Sequence, residues 1–285
     1  MIDINEKSLK QPAHSDPIFN GSLFWSIKSK HSAVSFLWGS LHHIDTSKIV
    51  LPLPALDDLM NTTDTLIVEV DTERIEDGYS KNLLASENAY FDYSQLLNKP
   101  YLEKLLHICK EQPDSLLASA PIESVSPEVM ALLVSAQKEM KSKLYGTPNL
   151  QIESRYIQRA RKAKKPIIEL ETVEEQLQAA LTSNDLSKQI EELKTAIDSY
   201  DADMPDVYAR YAQQDLRLLN TKEFFQHAMI QRNKTMVQRL IPHLQRQSAF
   251  IIIGAAHLPY STGVLALLAE AGYQITPCVL PVGQG

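Results

Sequence analysis

Cysteine is nearly absent from this chain: Cys109 and Cys278 are the only two among 285 residues, and they lie in unrelated contexts. This scarcity excludes a disulfide framework and a cysteine-rich zinc site, because both need several cysteines at defined spacings. Basic residues are also outnumbered: the chain has 28 Lys and Arg but 35 Asp and Glu, which gives a formal net charge of -7. Such a chain has no electrostatic attraction for a polyanion, so we expect no nucleic acid partner.

Long apolar runs are missing as well. One of the longest, residues 249–256, is far shorter than the roughly 20 residues that cross a bilayer. Residues 1–20 are polar and lack the basic start and apolar stretch of a secretory signal. We therefore expect a cytoplasmic protein without a membrane segment. The sequence also lacks a phosphate loop, a nucleophile elbow and a dinucleotide fingerprint, which leaves kinase, serine hydrolase and nicotinamide enzyme functions without support.

Short apolar runs alternate with helical segments along a chain that is 44% hydrophobic. Runs rich in β-branched and aromatic residues predict strands, two of them forming a hairpin, at residues 22–27, 33–38, 65–70, 165–171, 250–253 and 274–280. Apolar residues three and four apart predict helices at residues 90–140, 150–163 and 172–236, with a break at Pro205. The alternation predicts an α/β fold with a central mixed β-sheet flanked by helices.

The same pattern sets the predicted domain organisation. Residues 1–21 form an amino-terminal arm, and residues 22–285 form a single domain. Within that domain, a helical insertion at about 90–165 and 172–240 is expected to act as a cap over the sheet.

Two copies of Gly-x-x-His each follow a predicted strand, at residues 39–42 (GSLH) and 254–257 (GAAH). Each copy is followed by a proline-containing loop, a short helix, a turn and another strand, which predicts two related halves. Ligands of α/β sheets bind beyond the carboxyl ends of strands. We therefore predict that His42 and His257 belong to one active site.

Glu69 lies within the apolar run at residues 65–70. A carboxylate buried there costs several kcal/mol unless a cation or a basic side chain faces it. Two imidazoles and one carboxylate are acceptable ligands for Zn²⁺, Mn²⁺ or Co²⁺, so His42, His257 and Glu69 are the candidate metal ligands. The alternative is a structural ion pair between Glu69 and an arginine.

Glu171 closes the run at residues 165–171 and repeats the position of Glu69 on another strand. It is a further ligand, the general base for a metal-bound water, or an acidic N-cap of the helix beginning near Thr172. Arg232 offers bidentate hydrogen bonds to a carboxylate or oxyanion, although its spacing also suits an exposed helix face. His43 points away from His42 if the backbone is extended.

Five segments, in order, resemble blocks of the TraB/GumN family: FLWGSLHHID, TLIVEVD, KPIIELETVEEQ, QRN and FIIIGAAHLP. That family is similar to the TIKI proteins, which are metal-dependent proteases, and more distantly to erythromycin esterase and ChaN-like folds. The resemblance implies an α/β fold of two related halves with the paired Gly-x-x-His motifs in the site. Tyr260 stands where the family's H-L-x-G block has glycine.

Carried onto this sequence, the resemblance places four groups in the catalytic machinery: His42, Glu69, Glu171 and His257. It also matches Arg232 and Asn233 to the family's E-R-N block; together with His43 they are the expected substrate-binding residues.

These assignments imply a metal-dependent hydrolase, foremost a peptidase acting on a peptide or protein. His42, Glu69 and His257 would hold a Mn, Co or Zn ion, and Glu171 would handle the proton of the attacking water. Two alternatives stay open: a metal-free, esterase-like hydrolase with His42 as general base, and a non-catalytic peptide- or pheromone-binding regulatory module.

Overall fold

The computed structural model describes most of the chain. The described residues are 19, 22–29, 33–41, 44–47, 49–71, 90–112, 115–119, 122–141, 146, 151–181, 183–202, 211, 223–278 and 280. His42, His43 and the predicted helix break at Pro205 lie outside these residues, as does the predicted arm at 1–21 apart from Phe19.

Six strands form one mixed sheet in the spatial order β4-β3-β5-β2-β1-β6. The strands are β1 (Phe24–Lys28), β2 (Ser35–Ser40), β3 (Thr65–Val68), β4 (Ile167–Glu169), β5 (Ala249–Gly254) and β6 (Gln274–Pro277). β1 pairs antiparallel with β2 and β6, whereas β2, β3, β4 and β5 are parallel. The α/β fold and the amino-terminal hairpin are thus confirmed.

The central strands are apolar because both of their faces are covered. Every residue of β3 and β5 is buried, whereas most residues of the edge strand β6 are exposed. A strand covered on both faces reads as a continuous apolar run, which is how both central strands are visible in the sequence. Their parallel arrangement brings the carboxyl ends of β2, β3, β4 and β5 to one edge of the sheet.

The described helices are α1 (Leu53–Thr62), α2 (Tyr93–Leu96), α3 (Lys99–Glu111), α4 (Leu116–Ser119), α5 (Pro127–Lys141), α6 (Ile152–Lys162), α7 (Val173–Ala180), α8 (Leu186–Ser199), α9 (Glu223–Leu244) and α10 (Val264–Glu270). β2-α1-β3 and β5-α10-β6 are both strand-helix-strand units whose two strands run in the same direction. Each unit carries one Gly-x-x-His motif after its first strand.

Two hydrophobic clusters divide the helices. The larger one packs on the sheet and includes residues of α1, α6, α9 and α10, such as Tyr156 and Leu240. The smaller one joins α2, α3, α4, α5 and α8 around residues such as Leu105 and Val134. We call these five helices the helical cap. α6 and α9 fall inside the ranges predicted for a cap, but they supply their apolar residues to the core of the sheet.

Within the described part of the chain, no helix is both long enough and apolar enough to cross a membrane.

Candidate functional site

The two motif strands lie side by side at the centre of the sheet. β2 and β5 pair in parallel, with Gly39 opposite Ile253 and Ser40 opposite Gly254. The two motifs therefore leave adjacent strands at the same edge. His42 itself lies outside the described residues, so its place beside His257 stays a prediction.

Gly39 packs closely against the loop of the second motif. A Cβ atom at Gly39 would lie 2.6 Å from Cδ1 of Leu258 and 3.2 Å from Cβ of Ala255, both in the loop of the second motif. Real Cβ atoms essentially never show the shorter contact. The motif glycine of β2 thus lets the two halves of the site touch.

A buried tyrosine and a buried glutamate bind the first motif. The hydroxyl of Tyr211 donates to Gly39 O at 2.8 Å and accepts from Nε1 of Trp38 at 3.1 Å. Complete burial raises the pKa of Tyr211, so this hydroxyl stays protonated and keeps donating. Ser40 Oγ donates to Glu153, which lies in the first turn of α6. The sequence carries no local signal for either contact.

Glu69 and Glu171 follow β3 and β4 at the same edge of the sheet. Each is only 4% exposed, although both carry a carboxylate. Glu69 Oε1 accepts a hydrogen bond from the backbone N–H of Gly254, the glycine of the second motif. Glu171 N donates to Glu69 O at 2.8 Å, which holds the two acidic residues together through the backbone.

Arg232 of α9 faces both acids. Its Nε and Nη2 donate to the two oxygens of Glu171 at 2.9 and 2.7 Å, and Nη2 also lies 3.3 Å from Glu69 Oε2. Burial of the guanidinium lowers its pKa, but the hydrogen bond with Glu171 and the charges of both acids outweigh this and raise the pKa above its usual value. Arg232 is therefore a permanent cation in the site and does not lie on an exposed helix face.

These contacts bear on two alternatives that the sequence left open. Glu69 is indeed paired with an arginine, as the ion-pair alternative expects. Glu171 is not the N-cap of α7: Thr172 takes that position, and its side chain accepts from Glu175 N while Glu175 bonds back to Thr172 N. Glu171 is free of a capping role and faces the site.

His257 is oriented by Asn233, and both residues are 4% exposed. Nδ2 of Asn233 donates to Thr262 O at 2.9 Å, so Oδ1 of Asn233 must be the atom that faces Nδ1 of His257 at 2.5 Å. Because Oδ1 can only accept, Nδ1 carries the proton. Nε2 is the other ring nitrogen, and it lies 3.9 Å from Glu69 Oε1.

Gln176 of α7 completes the described cluster. Its Nε2 lies 3.4 Å from Glu69 Oε2 and 3.3 Å from Glu171 Oε2. Gln176 was not among the residues predicted for the site, although it closes the same KPIIELETVEEQ segment that contains Glu171.

The structure therefore brings together five of the residues singled out in the sequence: Glu69, Glu171, Arg232, Asn233 and His257. His42 and His43 lie outside the described residues, so their roles stay predictions. Asn233 was expected to contact substrate, but its Nδ2 and Oδ1 both make hydrogen bonds within the protein, to Thr262 and His257.

Two described residues of the cluster carry donor atoms of the kind that a divalent transition metal binds. An imidazole nitrogen facing a carboxylate oxygen is a donor pair that Zn²⁺, Mn²⁺ and Co²⁺ accept. Metal-binding histidines also typically give their other ring N–H to a carbonyl or carboxylate, as His257 does to Asn233. Among the described residues no three His, Cys, Asp or Glu side chains form a group that could hold a metal ion, and the predicted third donor is His42.

Comparison with known proteins gives one match. A family model described as the TraB/PrgY/gumN family matches residues 23–277, which include all six strands and every residue of the cluster above. No curated protein and no solved structure matches the chain.

Proposed function

The chain belongs to the TraB/PrgY/gumN family, and from that premise we propose that it is a metal-dependent hydrolase of peptide bonds. The observation that carries the proposal is the orientation of His257: Asn233 fixes the proton on Nδ1 and leaves Nε2 to face Glu69 Oε1 across 3.9 Å. The choice of a peptide or protein substrate rests on the resemblance to metal-dependent proteases described above.

His42, Glu69 and His257 would hold the ion, which would be Mn²⁺, Co²⁺ or Zn²⁺. When bound, such an ion polarises a carbonyl oxygen and lowers the pKa of a coordinated water toward about 7. Glu69 is prepared for this role because the N–H of Gly254 and the guanidinium of Arg232 already fix its position.

Arg232 and Glu171 form the second part of the proposed machinery. Arg232 uses Nε and Nη2 on the two acids, and Nη1 makes no hydrogen bond with any described residue. We assign Nη1 to the substrate oxygen on which negative charge develops, since a fixed cation stabilises that charge. Glu171 holds the guanidinium in place and is the nearby carboxylate that can take a proton from the attacking water.

Calorimetry with Mn²⁺, Co²⁺ and Zn²⁺ tests the metal site. Wild-type protein is expected to bind one ion, and His42→Ala, Glu69→Gln and His257→Ala are each expected to abolish binding while the circular dichroism spectrum is retained. Gln247→Ala, beyond the end of α9 and just before the first residue of β5, at the opposite edge of the sheet, is a control that should bind normally. If each site variant binds the ions as the wild type does, the shared site is wrong.

A metal-free hydrolase is the second candidate, because an imidazole that Asn233 orients, with Nε2 directed toward a carboxylate, is also the arrangement of a general base. Turnover of a peptide or ester library separates the two enzymes: activity that survives exhaustive chelation favours the metal-free reaction. Tight peptide binding with no turnover of any library member would instead favour the regulatory binding module.

A further inference from the structure

α7 carries no buried side chain, although it lies against the acid pair, Glu69 and Glu171. A helix in a protein usually gains its stability by packing an apolar face. The apolar residues Val173 and Leu177 of α7 are only half-buried, so polar contacts supply a large share of what holds it in place. Elements with few buried apolar contacts are the ones that open locally without unfolding the rest of a fold.

One ion pair supplies most of those contacts. Arg239 of α9 donates through Nη2 and Nη1 to the two oxygens of Glu175, at 2.6 and 2.7 Å, and Nη1 also donates to Leu170 O at 2.7 Å. Both side chains are about two-fifths exposed, at 41% and 39%. Glu175 additionally closes the capping box with Thr172, so the same carboxylate caps the amino end of α7 and fastens it to α9.

The inner side of α7 reaches the acids through one residue. Gln176 follows the tethered Glu175 directly, and its Nε2 contacts both carboxylates of the acid pair. Beyond the carboxyl end of α7, Ser183 N donates to Glu128 of the helical cap at 2.9 Å. α7 therefore spans the interval between the acid pair and the cap.

We propose that α7 is a hinged cover of the acid pair, held closed by the Arg239–Glu175 ion pair, and that Gln176 is the positioning residue through which the closed cover holds Glu69 and Glu171. Opening breaks the ion pair and withdraws the amide, which exposes the two carboxylates and Arg232 to a ligand. The use of the opening for substrate entry rests on the proposed function, whereas the opening itself does not.

Hydrogen exchange tests the cover in the protein without metal or substrate. Arg239→Ala is expected to raise the exchange rates of the amides of residues 174–181 about fivefold, the effect of losing a surface ion pair at the strong end of its range. The control is Arg246→Ala, which removes an exposed arginine just beyond α9 and should leave these rates unchanged. Unchanged rates in Arg239→Ala would overturn the cover.

Carbodiimide labelling followed by mass spectrometry tests what the cover protects. Arg239→Ala should speed the modification of Glu69 and Glu171 by the same factor as the exchange of α7. Glu153, a carboxylate of α6 that is buried at 7% exposure and bonds to Ser40, should stay unlabelled. Faster labelling of all three would mean general unfolding, and no change at the acid pair would mean that α7 does not cover it; either result contradicts the proposal.

Gln176→Ala separates the positioning role from the cover. The variant keeps the ion pair, so the exchange of α7 should stay as in the wild type, while labelling of Glu69 and Glu171 rises. Gln178→Ala, an exposed glutamine on the same helix, is the matched control. Equal labelling in the two variants would show that Gln176 does not position the acid pair. None of these measurements depends on hydrolysis, so their failure and the failure of the hydrolase proposal are distinguishable.

Discussion

Oδ1 of Asn233 lies 2.5 Å from Nδ1 of His257, and this contact between two buried side chains decides which ring nitrogen faces Glu69. The amide can be oriented in only one way, because its Nδ2 donates to Thr262 O. An asparagine on α9 thus fixes both the histidine of the second motif and the loop that follows it.

Asn233→Leu should allow His257 to populate both neutral tautomers. Removing the amide leaves Thr262 O and the ring N–H without partners, which should cost about 1–3 kcal/mol of stability. Affinity for the proposed metal ion should fall about 10- to 100-fold, the effect typical of a residue that orients a metal ligand. Nitrogen NMR of His257 should change from one tautomer to a mixture. Asn233→Asp keeps the acceptor and should retain the Nδ1-protonated form; a single tautomer in Asn233→Leu would contradict this assignment.

Arg232→Met should destabilise the protein strongly. The substitution leaves Glu69 and Glu171, each 4% exposed, without their cation. Breaking a buried ion pair by removing one partner typically costs about 3–5 kcal/mol, because the remaining charge is not compensated. Urea unfolding measures the loss, and Arg246→Met serves as the exposed control. Equal midpoints for the two variants would show that the acids do not depend on Arg232.

Gly39→Ala tests the contact between the two motifs. Its Cβ would meet Leu258 at 2.6 Å, so overpacking should cost about 1–3 kcal/mol. In a Leu258→Ala background the added methyl group has space, and the penalty should shrink. A double-mutant cycle by thermal or urea unfolding measures this coupling. Additive effects of the two substitutions would mean that the motifs do not press on each other there.

Glu175→Gln should reveal a pH-dependent contribution of the α7 tether. The hydrogen bond from Arg239 lowers the pKa of Glu175 from 4.5 to about 2. Because the folded pKa is the lower one, the stabilisation is fully present above about pH 4.5 and is lost as the pH falls toward 2. The wild type should therefore lose its advantage over Glu175→Gln across this window in urea unfolding. A difference independent of pH would exclude the ion pair as its source.

Lys164→Gly should stabilise the protein. Lys164 is exposed and has a φ of 55°, in the left-handed region just after the last turn of α6. A side chain in that region costs roughly 1–2 kcal/mol, which glycine avoids apart from its own loss of chain entropy. Lys162→Gly, two residues earlier and still helical, should instead destabilise by up to about 1 kcal/mol. Two shifts of the same sign in melting temperature would contradict this explanation.

Much of the fold was predictable because burial leaves a local record in the sequence. β3 and β5 are covered on both faces and appear as unbroken apolar runs, and the hairpin of β1 and β2 follows from two such runs around a polar turn. The acids that end β3 and β4 are visible for the same reason, since a carboxylate interrupts an apolar run.

The partners of those acids were harder to predict from the sequence. Arg232 could be singled out for its chemistry, but its place between Glu69 and Glu171 depends on how α9 crosses the edge of the sheet. Gln176, Tyr211 and Glu153 act across distances of 107, 172 and 113 residues along the chain, and no local pattern encodes such contacts. The division of the helices between two cores has the same origin, because periodicity predicts a helix without naming the surface it covers.

The position of β5 also has a consequence for synthesis on the ribosome. β5 is the strand that joins the pair β4-β3 to the pair β2-β1, and its first residue, Ala249, bonds to Ser35 of β2, 214 residues away. Until β5 has emerged, the nascent chain holds two strand pairs that are not joined, and the edges of β3 and β2 that β5 later covers are apolar and unpaired. Such edges recruit other chains, so this protein should depend on chaperones during translation and complete the edge of the sheet that carries the residue cluster only in a late, cooperative step.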